Sequence, residues 1–187
     1  EVIQQSSTLP AVCGRVCPQE KQCEAQCIHL KMGHEPVAIG YLERFVADYT
    51  AANASATHAS EANHPREATN GKANKIAVVG SGPAGLAFAG DMAKLGYQVT
   101  VFEALHEVGG VLRYGIPEFR LPNAVVDREI EGLRQLGVTF QCDTIIGKTL
   151  TVEDLQAQGY KGIFVGSGAG LPRFMNIPGE NLNGVMS

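Results

Sequence analysis

The chain has 187 residues, a formal net charge of −4 and 44% apolar residues, enough for one large or two small globular domains. It carries no basic block, which argues against nucleic acid as a partner, and its apolar runs are strand-length, which leaves no candidate membrane span. Neither a secretory leader nor an initiator Met opens the sequence, so a piece of a longer chain is expected.

Four of the five cysteines crowd the first stretch as Cys13, Cys17, Cys23 and Cys27, in the spacing C-x3-C-x5-C-x3-C. Without an export signal, such clustering points to metal before disulfides. Thiolates three or four residues apart on short turns can converge on one centre, and the Cys17-Pro18 step suits ferredoxin-type runs. Zinc sites more often separate two close pairs by a longer loop, so iron–sulfur ranks first, zinc second and disulfides third. His29 and His34 are weaker alternative ligands. Residues 36–49 begin at Pro36 and set Ile39, Leu42, Phe45 and Val46 at helical spacing, which predicts an amphipathic helix against a small core. Glu43 falls within that pattern and reads, on spacing alone, as part of a solvated face. Residues 50–74 are rich in Ala, Asn, Thr and Ser and lack any large apolar side chain, so they read as a linker, with His58 and His64 in solvent.

The densest signal lies in residues 75–103. An apolar strand at 76–79 runs into Gly80-Ser-Gly82-Pro-Ala-Gly85, then a helix to about residue 95, then a strand at 99–102 ending on Glu103. In this pattern Gly80 permits a tight turn, Gly82 lets the backbone approach a pyrophosphate, and Gly85 allows close helix–strand packing. The helix N-terminus suits an anion, and an acid at the position of Glu103 suits a ribose hydroxyl. The arrangement predicts a dinucleotide site.

Residues 104–122 hold Gly109, Gly110, Pro117, Arg120 and Pro122 and read as a long irregular loop of the kind that covers a ligand. Gly110 could admit close backbone approach, and Arg120 could pair a phosphate or a reduced, anionic ring. Pro122 then starts a helix over 123–136 with Val126, Ile130, Leu133 and Leu136 on one stripe. A strand at 138–142 ends on Cys142, a core residue. A short helix at 151–158 is capped by Thr151, and a strand at 162–165 enters a second glycine-rich turn at 166–170. This order predicts a parallel sheet with helices on both faces, its ligand at the carboxyl ends of the strands.

The runs CGRVCPQEKQCEAQC, PVAIGYLERF, GSGPAGL, VFEALHEVGGVLRYGIPEFRLP, GIFVGSGAG and IPGENLNGV stand in one order along the chain. Together they resemble the small-subunit family of NADPH-dependent glutamate synthase, with its relatives in dihydropyrimidine dehydrogenase and bifurcating transhydrogenase. The resemblance implies a small all-α iron–sulfur domain (1–49), a linker (50–74) and a Rossmann-like α/β FAD-binding domain (75–187). It implies hydride passing from NADPH to FAD, and electrons leaving through 4Fe-4S clusters. The acceptor would be a glutamate synthase large subunit, making glutamate from glutamine and 2-oxoglutarate, or an equivalent flavoprotein partner. By the same resemblance FAD is held by Gly80, Gly82, Pro83, Ala84, Gly85, Glu103, Gly110, Val111, Arg120, the backbone near Ile146, and the turn containing Gly168. Cys17, Cys23 and Glu43 would serve one cluster and Cys27 another, while Cys13 matches a position that need not be a ligand. The family's further cysteine group and its pyridine-nucleotide domain have no counterpart in this sequence. The expectation is therefore an incomplete cluster ligand set, a missing NADPH domain, no protein catalytic base and a cytoplasmic parent enzyme. A non-catalytic module binding zinc and a nucleotide is the alternative.

Overall fold

The computed structural model describes residues 2–53, 74–170 and 175–185. The N-terminal segment is helical: α1 (Val2–Ser6), α2 (Pro10–Val16), α3 (Ile28–Lys31) and α4 (Ile39–Asn53), with single 3-10 turns at Gln19–Lys21 and Glu24–Gln26. Pro10 begins α2 at a position where its missing N–H costs nothing. Gly14 lets α4 cross α2 closely, since a Cβ there would lie 2.6 Å from the Arg44 amide nitrogen.

Strands β1 (Lys75–Val79), β2 (Gln98–Phe102), β3 (Thr139–Gln141) and β4 (Tyr160–Val165) form one parallel sheet in the order β3-β2-β1-β4. β1 is central, with Ala77 and Val78 fully buried on opposite faces, as expected of a continuous apolar run. Its register places Val79 beside both Phe102 and Val165, so the three strands end level. The crossover α5 (Pro83–Lys94) joins β1 to β2. After β2 come the one-turn helix α6 (Val111–Tyr114) and α7 (Asn123–Gln135), which leads into β3. Helix α8 (Val152–Ala157) precedes β4.

The main core joins Val78, Val101, Leu86 and Ile130 to Leu9 and Val12 of the N-terminal segment; a smaller cluster of Ala77, Phe102 and Leu155 fills the other face. Helices on both faces of a parallel sheet are the expected α/β architecture. Helix α2 is pinned on α7: the Ala11 N–H donates to Glu129 Oε1 at 2.7 Å, and Thr8 Oγ1 reaches Asp91 of α5 at 2.7 Å. Thr151 caps α8 in a reciprocal capping box with Asp154.

Three local expectations change. α4 starts at Ile39 rather than Pro36 and runs four residues into the expected linker. Ile39 N–H bonds Val37 O in a tight turn, and the Gly40 N–H is taken by Glu24 Oε1 at 3.0 Å. The rest of that linker, 54–73 with His58 and His64, lies outside the described residues. The apolar stripe of α4 faces outward: Leu42 is 54% exposed and Phe45 64%, while Gly40 and Ala47 turn inward. The 104–122 connection, expected to be irregular, holds helix α6 because Gly110, at φ +52°, turns the chain into an N-cap. Cys142 packs against the main core, and burial pushes its thiol pKa up. Among the described residues, no helix is long and apolar enough to cross a membrane.

Candidate functional site

Because β1, β2 and β4 end level, the loops at their carboxyl ends surround a single cleft of about 770 Å³. The glycines of the first loop divide by what surrounds them. A Cβ on Gly85 would sit 1.9 Å from the Gly80 carbonyl oxygen, and one on Gly80, at φ +96°, would sit 2.5 Å from the Gly166 oxygen. These two serve the packing of the chain. Gly82 has an ordinary φ of −67°, and a Cβ there would meet nothing within 4 Å. It leaves backbone bare toward the cleft, a cradle that a side chain would fill. Gly110 lies directly on Gly82, its would-be Cβ 2.8 Å from the Gly82 Cα. Pro83, Ala84, Val111, Ile146 and Gly168 line the same cleft.

The first turn of α5 has N–H groups with no carbonyl to bond within the helix, and its residues Pro83 and Ala84 line this space, so the loop end carries partial positive charge. Glu103, only 6% exposed, closes the end of β2. Its Oε2 accepts from the Ser81 N–H at 2.9 Å and from the Ser81 hydroxyl; its Oε1 accepts from the Leu105 N–H at 2.9 Å. A carboxylate has about four acceptor sites; three are used here, which leaves one on Oε1 of a residue that lines the cleft. Bare backbone, an anion-favouring helix end and an open carboxylate site fit a dinucleotide such as FAD.

Two contributors escaped the sequence reading. Ser81, fully buried, also accepts the Gly109 N–H at 2.9 Å on its Oγ. Its only sequence signal is a hydroxyl between the first two glycines of the motif. Thr144, 6% exposed, donates its N–H to the Glu103 carbonyl at 2.9 Å and lines the cleft. Arg120, by contrast, is exposed and absent from the cleft wall. The loop is held instead by Arg113, whose guanidinium bonds Val108 O at 2.9 Å, Glu107 at 3.0 Å and Asp127.

The cysteine segment is arranged differently. Cys17 ends α2, Cys23 is exposed, and Cys27 precedes α3, where the Val37 N–H lies 3.5 Å from its Sγ. Backbone N–H donors at Val37, His29 and Leu30 hold the Cys27 thiol below its usual pKa, which favours a thiolate. Cys13 moves the other way, pushed up to about 12 by burial first and then by Cys17 and Glu43. Glu43 is half-buried, and desolvation raises its carboxyl pKa against a smaller lowering by a hydrogen bond from Ser7. Among the described residues, no three His, Cys, Asp or Glu side chains come close enough to hold a metal ion. Cys17, Cys23, Cys27 and Glu43 therefore do not form a closed cage in this fold.

Residues 74–187 match the family described as pyridine nucleotide-disulphide oxidoreductase, which also matches 35–120. The chain belongs to the pyridine nucleotide-disulphide oxidoreductase family. Residues 1–55 match a second family, dihydropyrimidine dehydrogenase domain II, 4Fe-4S cluster. This member of the oxidoreductase family is 42% identical over 178 residues to the NAD-dependent dihydropyrimidine dehydrogenase subunit PreT of Escherichia coli O157:H7, covering 93% of this chain and 41% of that protein. It is 33% identical over 175 residues to a chain provisionally named glutamate synthase (NADPH) small chain of Cereibacter sphaeroides, covering 94% and 40%. It thus spans about two fifths of the length of these curated relatives. FprA of Mycobacterium tuberculosis in complex with NADPH aligns at a TM-score of 0.50 and 25% identity, over 61% of this chain and 27% of that one. The two family matches thus set a 4Fe-4S cluster domain match over 1–55 ahead of the oxidoreductase match over 74–187.

Proposed function

We propose that this chain is the electron-input part of an enzyme whose final acceptor sits on a partner subunit. The observation that carries the reading is the cleft wall on which Gly82, the α5 N-terminus and the open Oε1 site of Glu103 converge. FAD, when bound, supplies hydride acceptance and electron release. The chain's own residues bind and orient it. Gly82, Pro83 and Ala84 present backbone to the pyrophosphate, with Gly80 and Gly85 shaping the turn behind them; Glu103 accepts from a ribose hydroxyl. Gly110, Val111, Ile146 and Gly168 close the walls and keep water from the ring. Arg120, outside the wall, is a cation available at the loop after α6. Cys17, Cys23, Cys27 and Glu43 are candidate cluster ligands whose set needs residues beyond those described.

The 42% match supports pyrimidine reduction as the partner's chemistry. Glutamate formation from glutamine and 2-oxoglutarate, on a large subunit, is the second reading, supported by the 33% relative. The test is an anaerobic visible spectrum and metal analysis of this chain beside a protein extended at both ends, followed by NADH or NADPH addition. Flavin that bleaches with either nucleotide in the extended protein is the expected result. Stoichiometric zinc without flavin would sink it. Adding the partner subunit with a pyrimidine, or with glutamine and 2-oxoglutarate, separates the two acceptors.

A further inference from the structure

We propose that Ser81 is a positioning residue for nucleotide recognition: it clamps the Glu103 carboxylate so that one acceptor site stays open toward the adenosine ribose. The proposal deepens the FAD reading above and rests on it. Two loops meet at this one side chain, the second at two points. Ser81 belongs to the turn after β1, and its N–H and hydroxyl both bond Oε2 of Glu103 at the end of β2. Its oxygen also takes the Gly109 N–H at 2.9 Å, which fixes the turn that lays Gly110 on Gly82.

Ser81 lies in the cleft wall but is 0% exposed, and its N–H and hydroxyl are taken by Glu103 and Gly109, so its contribution passes through them. With Oε2 saturated by Ser81 and Oε1 half-used by Leu105, the carboxylate cannot rotate without breaking three bonds. A ribose hydroxyl then finds an oriented acceptor and no reorganisation cost at binding. Without the Ser81 hydroxyl, Oε2 regains a free site, the carboxylate can turn, and the Gly109 N–H loses its buried acceptor.

The test compares affinity for FAD with that for an analogue built on 2′,3′-dideoxyadenosine, which lacks both ribose hydroxyls, by flavin fluorescence on the protein extended at both ends. The unaltered protein should prefer FAD over the analogue. Ser81→Ala should weaken FAD binding and cut that preference by about tenfold, the order expected for a hydrogen bond to a charged group. A purely structural serine would weaken FAD and analogue alike and leave the ratio at its original value; that outcome overturns the proposal. Should Ser81→Ala not fold, Ser81→Cys keeps the size with a weak donor and is read by the same ratio. No preference in the unaltered protein would show that Glu103 does not read the ribose, which ends the clamp. No binding of either flavin would overturn the cofactor reading itself.

Discussion

Gly82 and Gly85 belong to one motif, yet a methyl group would meet open space at the first and a carbonyl oxygen 1.9 Å away at the second. Gly85→Ala must push α5 off the loop, at a cost of about 3 kcal/mol or more. Gly82→Ala should leave urea unfolding nearly unchanged while weakening FAD binding by about 1–3 kcal/mol, because the methyl enters the ligand's space. Denaturation and flavin titration of both variants check the pair. Equal loss of stability in the two would refute the division. Gly82, Gly85 and Glu103 were legible in the sequence because strand, turn, helix and acid follow at fixed intervals. Ser81 was not, because its role depends on Gly109 and Glu103 folding back to it, and no local pattern records that. Arg120 was read as a cofactor cation from its charge and from the family resemblance, and neither fixes its distance from the cleft, whose wall it does not line.

At the scale of elements, the clasp between α2 and α7 depends on one carboxylate. Burial raises the Glu129 pKa above its ordinary 4.5, against smaller lowering by the Ala11 N–H, Arg128 and Arg15 and a further raising by Glu43. A raised acid binds its proton more tightly folded than unfolded. Its stabilising contribution is thus complete below the ordinary value and is lost as pH rises through the raised one. Glu129→Gln keeps an oxygen for the Ala11 N–H and removes the titration. Relative to the unaltered chain, its stability should therefore climb as pH goes from about 4 to 7. A difference independent of pH across that window would show that burial of Glu129 is energetically silent.

The strands, α5 and α7 were readable from apolar runs and a 3.6 period. The outward stripe of α4 was not. Periodicity shows that Leu42, Phe45 and Val46 share a face, but not which face finds a neighbour, and Gly14 admits the opposite side of α4 against α2.

For the whole molecule, a ligand that grips the folded cleft and not the unfolded chain stabilises by mass action. FAD at 100 times its dissociation constant should add about 2.7 kcal/mol. The melting temperature of this chain should rise with the logarithm of FAD concentration, and riboflavin, lacking pyrophosphate and adenosine, should not reproduce the shift. A melting temperature indifferent to FAD at saturating concentration would refute a preformed site.

The contact between Gly80 and Gly166 also sets an order in time. β1 sits between β2 and β4, but β4 is made last, so the nascent sheet has a vacant flank at its centre while residues 81–159 are synthesised. At 5–20 residues per second, the first glycine turn waits roughly 4–17 s on the ribosome for its opposite wall. Loading of the nucleotide is therefore a late, post-closure event. A chain halted anywhere between residues 104 and 159 would carry the whole first fingerprint and still hold only one jaw of the cleft.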